Sequence, residues 1–225
     1  MRTEHVRRDR LLRQLQNLLT SIYDVPQCHD VAQFVITDPS QWAPEWPVRV
    51  SDEALLVSED ARGMALGLYL EPQLLERLSR SNPHTRLNGG NLADYWTALE
   101  GVSHFVYLSW RASHDRPVSM HELELQAEVD KFVCSAWLLR AQDPNRFPAE
   151  LHRVLFERAR VDADLAGTRV GLYQRANRNA ARFCRRIARS LYSRSAAARA
   201  LVMTELRRFY RLSNAGKLHY IECQT

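Results

Sequence analysis

Residues 122–132 read ELELQAEVDKF, so Glu122, Glu124, Gln126, Glu128 and Asp130 alternate with apolar positions. Carboxylates at this density can hold a divalent cation, exchange protons, or pair with internal cations. A strand would line all five along one face, whereas a helix would distribute them. Ser119 and Glu122 have the spacing of a capping box, and Val118 and Leu123 that of a hydrophobic staple. Leu125, Val129, Phe132, Val133, Ala136 and Leu139 then continue at helical intervals, which predicts a helix from 120 to about 141. Its other side carries Leu123, Ala127, Cys134, Trp137 and Leu138. A helix apolar on two faces is expected to sit centrally, and its acids then need partners or protons.

Glu124, Glu128 and Lys131 share one stripe of this helix, and Glu122, Gln126 and Asp130 share another. The preceding segment, LADYWTALEGVSHFVYLSWR, is apolar along Leu92, Tyr95, Leu99, Val102, Val106 and Trp110, with Glu100, His104 and Arg111 on its polar stripe. The connection at 112–118 is short, so the two helices are expected to be antiparallel neighbours. His104 then lies at the level bracketed by Glu124 and Glu128. Glu100, His104, Glu124 and Glu128 therefore form a candidate metal or acid–base site, and a divalent metal is implied under that reading alone. Known patterns fit poorly. The spacing is Glu-x-x-x-His where di-iron bundles use Glu-x-x-His, and Leu125 stands where a zinc-protease motif beginning at His121-Glu122 would need its second histidine. A structural alternative lays the arginine ridge Arg178, Arg182, Arg185 and Arg189 across the acidic helix to neutralise Glu124, Glu128 or Asp130.

That ridge belongs to a strongly polarised chain. Residues 1–150 carry 15 Lys/Arg against 21 Asp/Glu, and residues 151–225 carry 16 against 5. Lys131 and Lys217 are the sole lysines, so the basicity is arginine, suited to forked contacts with carboxylate or phosphate. Between 169 and 211 twelve arginines accompany one acid, Glu205, and are interleaved with Tyr173, Phe183, Tyr192, Phe209 and Tyr210. Turned outward, such a surface attracts an acidic protein or nucleic acid. Arg175, Arg178, Arg182, Arg185 and Arg189 are the candidate partner contacts, with Trp42 and Trp46 of the proline-rich loop DPSQWAPEWP as a second contact. There is no Walker A loop, GxGxxG, GxSxG, zinc finger or RNP motif, so no catalytic residue or cofactor is named by motif. The expected function is that of a non-catalytic accessory or complex-forming protein binding an acidic partner through its arginine-rich C-terminal helices. The alternative is an enzyme using the Glu/His cluster.

The elements that must position these residues give a mainly helical α+β fold in a single domain over 1–225: an acidic part, 1–150, and an arginine-rich helical part, 151–225. Helices are predicted over 4–22, 72–81, 92–111, 120–141, 148–165, 172–192 and 195–213, with Asn91 capping the third and Gly167 and Gly171 interrupting the pattern. A hairpin near 54–70, with a bulge or close approach at Gly67, and a C-terminal strand near 217–222 predict a small antiparallel sheet. The four cysteines are scattered and form no CxxC, as expected of reduced thiols. The opening residues lack a signal-peptide pattern and no run of about 18 apolar residues occurs. A cytoplasmic protein without a membrane partner is expected.

Overall fold

The computed structural model describes residues 2–41, 52–60, 63–145, 148–157 and 167–223. Its helices are α1 (Arg2–Tyr23), α2 (Pro72–Arg80), α3 (Leu92–Ala112), α4 (Met120–Gln142), α5 (Leu151–Phe156), α6 (Gly167–Leu191), α7 (Ala196–Arg211) and α8 (Asn214–Glu222). Strands β1 (Val35–Ile36), β2 (Glu53–Asp60) and β3 (Gly63–Leu70) form a small sheet in the order β1-β3-β2.

At the centre of the bundle, α4 packs between α3 and α6. Ser119 accepts the backbone N–H of Glu122 as its N-cap, and Leu125, Val129, Phe132, Val133 and Ala136 are all buried. Trp137, expected on the second apolar face, is instead 42% exposed. Asn91 precedes α3 but makes no side-chain cap bond; its amide donates to the Ser81 and Arg86 carbonyls, and Asp94 pairs with Arg77 at 2.8 Å. The polar group at that helix start is spent on fastening the preceding loop.

The sheet is mixed rather than antiparallel. β2 and β3 pair antiparallel in unbroken register, with Gly67 opposite Leu56, but the third strand is β1, parallel to β3 through Val35↔Leu68 and Ile36↔Tyr69. The predicted C-terminal strand is wrong: residues 214–222 are helical. Ser213 caps that helix by accepting the Gly216 N–H, and Lys217 and Ile221, four apart, are its buried face. The alternation in KLHYIE misleads because Lys217 reads as a solvent residue yet points inward. α6 also runs through Gly171 without interruption, and α5 realises part of the predicted 148–165 helix.

The sheet rests on α3 at Gly101. A Cβ there would lie 2.7 Å from Glu53 Cγ and 2.8 Å from Leu68 Cδ1, closer than real contacts allow. The missing side chain brings β2 directly against the polar stripe of α3.

Candidate functional site

Three elements converge beside Gly101: β2 contributes Glu53, α3 contributes Glu100 and His104 one turn apart, and α4 contributes Glu124, Glu128 and Lys131. One donor atom from each of Glu100, His104 and Glu124 lies within 4.8 Å of the other two. His104 Nε2 is 3.8 Å from Glu124 Oε1, and Nδ1 is 3.7 Å from Glu53 Oε1. Both are charge contacts too long for hydrogen bonds. Lys131 Nζ bridges Glu100 Oε2 at 3.0 Å and Glu128 Oε1 at 2.7 Å. Side-chain exposure grades from 26% at Glu100 to 6% at Glu124, so the cluster has a mouth at Glu100 and a floor at His104 and Glu124.

The four predicted residues are therefore together, but Glu128 is diverted onto Lys131 and Glu53 takes a place that sequence reasoning missed. Gly101, a glycine inside a helical pattern, was the available signal that another element approaches there. Among the described residues, four carboxylates face two cations, His104 and Lys131. Burial resists charge on His104, but Glu124 and Glu53 outweigh it and raise its pKa to about 9. Burial lifts Glu124 to about 7, opposed by His104, and also raises Glu53 and Glu128. Glu100 moves down, because the nearby Lys131 and His104 overcome its burial, and Lys131 is pushed well above the ordinary lysine range, its two carboxylates outweighing the penalty of burial.

The second stripe of α4 feeds a separate buried network. Asp130 accepts from Ser103 Oγ at 2.6 Å, from Gln126 Nε2 at 2.7 Å and from the Tyr23 hydroxyl. Lys217 of α8 donates to Gln126 Oε1 at 2.5 Å, with its ammonium 4.4 Å from the Tyr107 ring centroid. Tyr107 donates to Glu122 Oε1 at 2.5 Å, and Arg111 Nη2 lies 3.4 Å from the same oxygen. No charge here faces solvent, and each has a polar partner, which is the signature of an internal brace.

The arginine ridge does not neutralise these acids. Arg175, Arg178, Arg182, Arg185 and Arg189 are all exposed, and none forms an ion pair among the described residues. The reason is the register of α6: Ala176, Ala180, Phe183, Ile187 and Leu191 are buried in the bundle and leave the arginine stripe outside. Among the described residues, counter-charge inside comes from Lys131, Arg111 and His104. Just beyond Arg189, an apolar groove of about 230 Å³ opens between α4, α6 and α7, lined by Ala136, Trp137, Leu191, Val202 and Met203 with Arg140 and Arg199 also on its walls. No protein family, curated protein or solved structure matches the chain. Trp42 and Trp46 lie outside the described residues. No helix is long and apolar enough to cross a membrane among the described residues.

Proposed function

We propose that this is a complex-forming protein that holds an acidic, partly apolar protein segment along α6 and in the groove at its end. The observation that carries this reading is the row of five exposed arginines without an internal ion-pair partner among the described residues. At about 1.5 Å per residue they mark a positive stripe roughly 20 Å long. Like charges spaced three and four apart on one helix repel, so their lack of local acids favours an external anion.

The groove favours protein over nucleic acid as that anion's source. Phe183, Tyr192, Phe209 and Tyr210 are buried and offer no platform for base stacking. Trp137, 42% exposed, and Leu201, 72% exposed, offer apolar contact that a phosphate backbone cannot use. An amphipathic helix with acids on one side and aliphatic residues on the other satisfies both features.

Fluorescence anisotropy tests this with three labelled probes of equal charge: a Leu/Glu amphipathic peptide, polyglutamate and a DNA duplex. The peptide is expected to bind tightest. The double variant Arg178→Glu, Arg182→Glu is expected to weaken it by roughly tenfold or more at low salt and to flatten its salt dependence. Trp137→Ala is expected to weaken the peptide while leaving the salt dependence alone. Unchanged peptide binding in the double variant removes the proposal, and a duplex that binds more tightly and ignores Trp137→Ala transfers the surface to nucleic acid.

A further inference from the structure

We propose that Glu100, His104 and Glu124, with Glu53 orienting the imidazole from its other nitrogen, form a binding site for one divalent first-row transition ion. This site is independent of the α6 surface.

The argument starts from atoms without partners. His104 Nε2 is buried and makes no hydrogen bond among the described residues, and it points toward Glu124 Oε1 at 3.8 Å. An imidazole nitrogen in this position is normally satisfied by a donor, an acceptor or a metal. Its other nitrogen faces Glu53 Oε1 at 3.7 Å, the position in which a carboxylate orients a ligating histidine. Glu100 commits Oε2 to Lys131 at 3.0 Å, and the described hydrogen bonds leave Oε1 uncommitted.

The spacing accepts an ion with small side-chain adjustments. Donor atoms around one ion at about 2.1 Å stand roughly 3–4 Å apart. The three candidate donors span at most 4.8 Å, so inward rotation of Glu100 at the mouth closes the set. Glu128 is not a ligand, since Lys131 holds Oε1 at 2.7 Å. Lys131 bridges Glu100 Oε2 and Glu128 Oε1, so the ion would sit between His104 Nε2, Glu124 and the remaining oxygen of Glu100.

The donor set selects the metal class. One nitrogen with two or three carboxylate oxygens suits Mn²⁺, Fe²⁺, Co²⁺ or Zn²⁺, whereas Mg²⁺ and Ca²⁺ prefer oxygen alone. The 26% exposure of the Glu100 side chain places the entry, and any ligand carried by the ion, on that side.

The test is a Co²⁺ titration of the chelator-treated full chain, followed by visible absorption and calorimetry. One equivalent is expected to bind, with d–d bands indicating nitrogen and oxygen ligands, and without displacement by excess Mg²⁺ or Ca²⁺. Glu124→Gln and His104→Ala are each expected to lower affinity about 10–100-fold or more, while Glu128→Gln changes it less than tenfold. Circular dichroism checks that each variant is folded, and Glu124→Gln, which conserves shape, decides the outcome if His104→Ala is not. Absence of Co²⁺ binding, or binding unchanged by Glu124→Gln, overturns the proposal. So does a thiolate charge-transfer band, which would assign the ion to the exposed Cys223 and the His219 ring 3.4 Å from it.

Discussion

Both lysines of the chain are interior, and they act in opposite ways. Lys131 is a salt-bridged cation between Glu100 and Glu128, so Lys131→Met should leave those carboxylates without their counter-charge and destabilise the fold by about 3 kcal/mol in urea denaturation. Lys217 sits among the rings of Tyr107, Phe209 and Tyr210, faced by the charges of Glu122, Asp130 and Arg111. Burial depresses its pKa from 10.5 to about 7, against the pull of Glu122 and Asp130. Between those values the unfolded chain holds a proton that the folded chain has released, so stability rises with pH. The stability of the wild type relative to Lys217→Met should be flat below pH ~7 and climb by an order of a few kcal/mol toward pH ~10. A difference that falls across that window would contradict a neutral interior lysine. The sequence placed Lys131 on the stripe of Glu124 and Glu128 but put Lys217 in a strand, so the interior position of Lys217 was not legible until its helix and the opposing element were known.

At the scale of elements, Gly101 decides where the sheet stands. Gly101→Ala should destabilise the protein by about 1–3 kcal/mol, since the new methyl must displace Glu53 or Leu68, and urea denaturation would measure it. A neutral result would mean that the hairpin slides freely over α3. That strands lie between 54 and 70 was readable from the alternation of apolar residues, and α4 from its capping box, because both signals are local. The partner strand was not: Val35–Ile36 is two residues long and pairs parallel across a wide gap in the chain. Glu53 escaped for the same reason, its proximity to His104 being a product of sheet-on-helix packing. α8 was misread as a strand because a six-residue alternation cannot reveal that positions 217 and 221 share a buried face.

Across the whole molecule, the arginine stripe of α6 lies outside and the acid-rich helix pair lies within. Sequence counting found the polarisation of charge but could not fix the rotation of α6, which is set by burial of Ala176, Ala180 and Phe183, the last stacked on Phe209 of α7. The exposed stripe holds four like-charged neighbours in series, Arg175/Arg178, Arg178/Arg182, Arg182/Arg185 and Arg185/Arg189. Each such pair opposes folding by roughly 0.2–0.5 kcal/mol. Arg182→Gln removes two of them and should raise Tm by about 1–3 °C at low salt, a gain that fades as NaCl is added. A Tm that is insensitive to both changes would mean that the stripe is already neutralised. Stability and partner binding would thus pull this face in opposite directions.

Arg211 donates to the carbonyl oxygens of Tyr23 and Asp24 at 2.9 and 2.8 Å, Arg207 reaches Ile22, and the Tyr23 ring stacks on Tyr210 at 4.1 Å. The end of α1 is thus finished by residues made some 185 positions later. At ribosomal speeds of about 5–20 residues per second, that delay is on the order of ten seconds or more. During it, Ile22 and Tyr23, buried in the folded chain, lack the α7 groups that cover them.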